Sequence, residues 1–241
     1  MAAYREHITV SSTLGIGVGL SATWILGFSG VQGALAGCLT GIGGMLPDLD
    51  SKSGKPVREI FGLVAAAAPM LMMRRLIEWG GSFDGAMLLA VLLYVTIRYG
   101  TAHFLALVAV HRGMFHSIPA MLIAGELAFL GYKSESMAVK VLMAVGVMIG
   151  FASHLILDEL YSVEWNGVRV KLNKYAGSAF KLLGKNWSAN IVTYGLLFTL
   201  TFALLEDSGA TKPSPRTPAP GVLRQATEEP IRIERIDLRK K

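Results

Sequence analysis

The stretch AMLLAVLLYVTIRYGTAHFLALVAV, residues 86–110, carries one formal charge, Arg98. A bilayer-spanning helix needs ~20 mostly apolar residues, and irregular backbone cannot face lipid, so a run of this length reads as a membrane helix. The rest of the 241-residue chain supports that reading. Mean hydropathy is +0.48 and only 17% of residues are charged, too apolar for an ordinary soluble domain. Working outward by run length gives seven apolar segments: 8–28, 31–46, 60–79, 86–110, 118–131, 137–157 and 189–205. Segments 31–46 and 118–131 are short enough to be tilted or re-entrant. The expected fold is an all-α, multi-pass transmembrane bundle of about 5–7 hydrophobic segments. Residues 1–205 form its membrane-embedded domain. Residues 206–241 follow as a tail whose stretch KPSPRTPAPG predicts an extended, disordered linker.

The single cysteine, Cys38, excludes an intramolecular disulfide and a Cys-based metal site. Net charge is +6, but the basic residues lie in loops beside the apolar runs. There they favour anionic head groups and set orientation, which makes membrane lipid the expected partner rather than nucleic acid. Gly33, Gly37 and Gly41, spaced four apart, predict close helix packing. Gly15, Gly17 and Gly19 lack the spacing and the preceding strand of a phosphate loop.

Polar chemistry gathers at four places, each at the end of an apolar run: His7, GMLPDLDS (44–51), HRGMFHS (111–117) and SHLILDELYS (153–162). If the first two runs form a hairpin, crossing parity returns all four to one membrane face. His154 and Asp158 are four apart and share one helical face. Asp48 and Asp50, two apart after Pro47, point the same way on an extended backbone. His111 and His116 need a turn at Gly113, with Ser117 as N-cap of the next helix and Pro119 tolerated in its first turn. His103, inside its run, suits a helix-to-helix hydrogen bond.

Imidazoles and carboxylates together suit a borderline divalent ion: zinc, with manganese and iron as alternatives. The donors suffice for one or two ions, and such an ion activates water for phosphoester hydrolysis without a serine or cysteine nucleophile. In that scheme Asp48, Asp50, His111, His116, His154 and Asp158 hold metal. Arg112 clamps phosphoryl oxygens through its planar fork. Taken singly, these groups also fit simpler roles, His7 as a snorkelling residue, the aspartates as turn residues and His154 with Asp158 as a structural pair. Their joint placement favours the metal site.

LPDLDS, HRGMFHS and SHLILDEL, preceded by His7, resemble the signature of the YdjM-like family of inner-membrane, metal-dependent hydrolases. That pattern is similar to zinc-dependent phospholipase C. The resemblance covers roughly residues 7–161 and implies His7, Asp48, Asp50, His111, His116, His154 and Asp158 as ligands. Arg112 and Ser117 follow as supporting residues. The chain departs from the family's pattern at Ser51, where members often have histidine, and at Phe115, where threonine is common.

The leading expectation is therefore a membrane-bound hydrolase of a phosphoester, lipid-linked by virtue of its location. The alternative is a non-catalytic membrane protein with a structural or regulatory metal site that recruits a partner such as a LexA-type regulator, with which proteins resembling this family are associated. Transport ranks last, because only Arg98 and His103 are ionisable deep within the runs. Ten Lys/Arg residues fall on the motif side (Arg5, Lys52, Lys55, Arg58, Arg112, Arg169, Lys171, Lys174, Lys181, Lys185). Four fall opposite (Arg74, Arg75, Lys133, Lys140), which puts the site at the cytoplasmic face of the inner membrane.

Overall fold

The computed structural model describes residues 4–50, 55–101, 114–165, 170–172, 181–184 and 186–210, with backbone alone for residues 50, 55–57, 101, 163–165 and 170–172. His103, His111, Arg112, Ser51 and the tail beyond residue 210 lie outside the described residues. The fold is all-α: α1 (Tyr4–Trp24), α2 (Gly30–Gly43), a 3-10 turn (Leu46–Asp50), α3 (Lys55–Leu71), α4 (Met73–Gly80) and α5 (Phe83–Val95). A π-helical continuation (Thr96–Thr101), α6 (Ile118–Gly131), α7 (Met137–Leu160) and α8 (Trp187–Asp207) complete it. The only strands among the described residues are a short antiparallel pair, Val163–Trp165 with Val170–Leu172. Each apolar run of the sequence becomes mainly helix over its described part.

Among the described residues, three helices are long and apolar enough to cross a membrane: Phe83–Gly100, Met137–Leu160 and Trp187–Asp207. A fourth arises if α3 and α4 count as one span bent by 63°. The sequence predicts one continuous run over 60–79. The structure breaks it at Met72, between α3 and α4, with Pro69 one turn earlier inside α3.

The first hairpin is set by local chemistry. Gly27, at φ +75°, turns the chain. Ser29 then caps α2: its hydroxyl accepts from Gln32 N while the Gln32 amide oxygen accepts from Ser29 N. Along the hairpin the two backbones nearly touch. A Cβ on Gly33 would come 2.6 Å from Gly19 O, and one on Gly37 would come 2.5 Å from Gly15 O. The four-residue glycine spacing is thus a packing device, as expected.

Helix α7 is the buried centre. Its Leu142, Met143 and Val147 pack with Ala22 of α1, Leu39 of α2 and Ala128 of α6. On α5 and α8 the large apolar side chains instead face outward, as Leu88, Val91, Phe198 and Phe202 do. Such faces suit contact with lipid.

The two ends of the bundle differ. At one end Asp207, closing α8, pairs with Arg75 of α4 at 2.9 Å and with Lys140 near the start of α7. Lys133 and Glu78 pair beside them at 2.5 Å. From Lys140 to Asp158, α7 rises about 27 Å, which puts the histidine-rich end on the far side.

Candidate metal centre

Four elements deliver donors to that far end. His7 lies in the first turn of α1, Asp48 in the 3-10 turn after α2, His116 just before α6, and His154 with Asp158 in the last turns of α7. Ser117 makes the turn at His116 as expected. Its hydroxyl caps α6 by accepting from Ala120 N at 3.3 Å and donates to Met114 O. Pro119 follows in the first turn.

Asp158 is the hub. Its Oδ1 lies 3.4 Å from His7 Nε2, and its Oδ2 lies 3.8 Å from His116 Nε2 and 3.9 Å from His154 Nε2. Asp48 Oδ1 lies 3.7 Å from His154 Nε2. The His7 and His154 rings stack with centroids 3.7 Å apart, and His116 stands edge-on to His154 at 5.4 Å. His7, His116 and His154 are 3%, 7% and 1% exposed. The Asp48 side chain, at 22%, is the most open member and marks the side facing out.

One hydrogen bond fixes the chemistry of the centre. His154 Nδ1 lies 2.7 Å from Gly44 O. A carbonyl can only accept, so Nδ1 carries the proton and Nε2 presents its lone pair. That Nε2 is buried and has no hydrogen-bond partner. Buried polar atoms are nearly always satisfied, so an orphaned imidazole nitrogen among carboxylates and imidazoles asks for a cation.

The donor spacing fits one. Two ligands each ~2.1 Å from a tetrahedral zinc ion are ~3.4 Å apart, and the separations around Asp158 run from 3.4 to 3.9 Å. The donors fall into two groups, His7–His154–Asp158 and Asp48–His116–His154, which share His154. A single in-plane lone pair serves one ion. The described donors could hold a divalent ion, with His154 Nε2 common to both groups.

The structure thus brings together five residues that the sequence singles out, His7, Asp48, His116, His154 and Asp158. For Asp50 only the backbone is described, and it corrects one expectation. Residues 46–50 form a 3-10 turn, with Asp48 N bonded to Met45 O, rather than an extended segment. At three residues per turn, this backbone lacks the two-residue repeat that the extended reading assumes. Pro47, fixed in φ and buried, starts that turn.

Two contributors escape sequence reading. Gly44 supplies the orienting carbonyl, and a Cβ there would meet Ser11 Oγ at 2.7 Å and Gly150 O at 3.2 Å. Ser11, fully buried, ties α1 to α2 beside the centre through Gly41 O at 3.2 Å. The Gly43–Gly44 pair just before LPDLDS is the signal that close approach is needed there.

With this geometry established, comparison with known proteins decides the family. The family model for YdjM inner membrane proteins matches residues 4–207. The chain belongs to the YdjM inner membrane protein family. That match takes in every donor of the centre and all eight helices described, so YdjM membership covers both the bundle and the site. No curated protein and no solved structure matches the chain.

Proposed function

We propose that this YdjM-family protein is a multi-pass inner-membrane hydrolase that cleaves a phosphoester with the help of a divalent metal. His7, Asp48, His116, His154 and Asp158 would hold the ion, joined by Asp50 and His111. Zinc suits this donor set first, with manganese and iron next, as one or two ions. The observation that carries the reading is the orphaned, oriented Nε2 of His154 facing Asp48 and Asp158.

A bound divalent ion supplies Lewis acidity and activates water. The chain's own residues do the rest. Gly44 O holds the His154 ring in one tautomer, Asp158 gathers three imidazoles about its two oxygens, and half-open Asp48 faces the approaching substrate. Arg112 next to His111 is proposed to fork onto phosphoryl oxygens. The positive-inside balance, ten basic residues against four, favours the cytoplasmic face for the centre.

Detergent-purified protein and its His116→Ala variant test this, with metal measured by mass spectrometry and turnover measured on a water-soluble phosphodiester and on phospholipid in mixed micelles. Stoichiometric metal with turnover, both lost in the variant, supports the hydrolase. Metal bound without turnover favours the alternative, a structural or regulatory centre that recruits a partner such as a LexA-type regulator. Absence of metal from the wild type overturns both.

A further inference from the structure

Behind the centre lies a cavity of about 570 Å³, within the roughly 300–1,000 Å³ range of ligand sites. Its wall is almost wholly hydrocarbon: Thr193 is the only hydroxyl-bearing residue in a lining of aliphatic, aromatic, methionine and glycine residues. Such walls offer no anchor to a polar ligand.

The cavity lies beside the centre along two sets of residues. At its near end the lining residues Leu46 and Leu49 bracket Asp48 in sequence, and Met114 and Phe115 lead directly into His116. Along α7, Val147 and Phe151 line it, and one turn further on the same helical face carries His154 and then Asp158. Spacings of four, three and four residues keep these side chains on one stripe. That stripe is apolar in the cavity and metal-ligating at its end.

At the far end the wall reaches Leu71, Met72 and Gly131, the last residue of α6. The cavity therefore follows α6 for nearly its length, ~20 Å for fourteen residues, comparable with the ~15 Å depth of one leaflet's hydrocarbon. Small side chains, Ala68 on α3 and Ala124 on α6, leave the space open. Phe115, next to His116 in sequence, carries the apolar wall toward the centre.

We infer that the cavity seats a hydrocarbon chain of a membrane lipid whose phosphate lies at the His154–Asp158 end. The substrate class is then an amphiphilic phospholipid drawn from the bilayer rather than a soluble phosphoester. The head-group half of this inference rests on the function proposed above. The seat for the chain does not.

The test uses full-length protein in phosphatidylethanolamine vesicles containing a phosphatidic acid with a diazirine midway along one acyl chain. After irradiation, adducts are mapped by peptide mass spectrometry. The expected result is labelling of Ile123 and Phe151 on the cavity wall, reduced at least fivefold by Ala124→Trp and by Ala68→Trp. Labelling of outward-facing Leu88 and Phe198 should be the same in all three proteins. Adducts confined to the outward faces of the wild type would overturn the inference without reference to any variant. Undiminished wall labelling in both correctly folded variants would overturn it too. Asp158→Asn separates the two claims. Wall labelling that persists while turnover is lost supports both, whereas wall labelling in a wild type that never hydrolyses a phosphoester upholds the cavity and sinks the hydrolase.

Discussion

The carbonyl of Gly44 holds His154 Nδ1 at 2.7 Å, and this contact between the end of α2 and the last turns of α7 aims the opposite nitrogen at Asp48 and Asp158. The centre is therefore a product of helix packing as much as of its donors. Groups that orient metal ligands from behind typically contribute 10–100-fold to affinity. Gly44→Ala, whose Cβ would press on Ser11 and on Gly150 O, is expected to weaken metal binding by that factor. Competition with a chromogenic chelator reads it. Gly41→Ala, whose nearest neighbour would lie 3.9 Å away, should leave affinity unchanged.

The same packing predicts a stability contrast along α1 and α2. An added methyl on Gly37 would lie 2.5 Å from Gly15 O, backbone that cannot move aside, whereas one on Gly17 meets nothing within 4 Å. Overpacking of this kind costs about 1–3 kcal/mol. Gly37→Ala should lower the thermal midpoint in detergent by several degrees, and Gly17→Ala should not. Equal midpoints would mean that the hairpin is looser than described.

Much of this arrangement is legible in the sequence, and the parts that are not share a physical cause. Run length finds the helices because a lipid-facing backbone must satisfy its own hydrogen bonds. Crossing parity puts His7, Asp48, His116, His154 and Asp158 at one end, which is where they lie. The Ser117 cap follows from its place before an apolar run. What escapes are contacts between distant segments: the Gly44 carbonyl behind His154, Ser11 against Gly41, and the cavity left by Ala68 and Ala124. Periodicity reports which face of a helix is apolar and says nothing about what fills the space beside it. The extended backbone expected after Pro47 is not found because a tight backbone hydrogen bond, Asp48 N to Met45 O, winds the segment instead.

Metal and fold should be linked. A ligand at one hundred times its Kd stabilises the folded state by about 2.7 kcal/mol. Added zinc is expected to raise the thermal midpoint of the wild type and leave Asp158→Asn unmoved, since Asp158 touches all three imidazoles. A parallel rise in the variant would place the metal elsewhere.

Topology offers an independent check. Asp207 closes α8 against Arg75 and Lys140, at the end of the bundle away from the histidines. Reporter fusions after Gly184 and after Lys241 should therefore report opposite sides of the membrane, with Gly184 on the cytoplasmic side. Both on the same side would show that α8 does not cross.

The central claim is that His154 Nε2 awaits a metal ion. Metal content per chain of protein purified without added metal, measured beside His154→Ala under identical conditions, tests it most directly. The expected result is at least one divalent ion per wild-type chain, falling to a tenth or less in the variant while the helical circular dichroism is unchanged. A folded wild type with no bound metal, or a variant that keeps its full complement, would contradict the account.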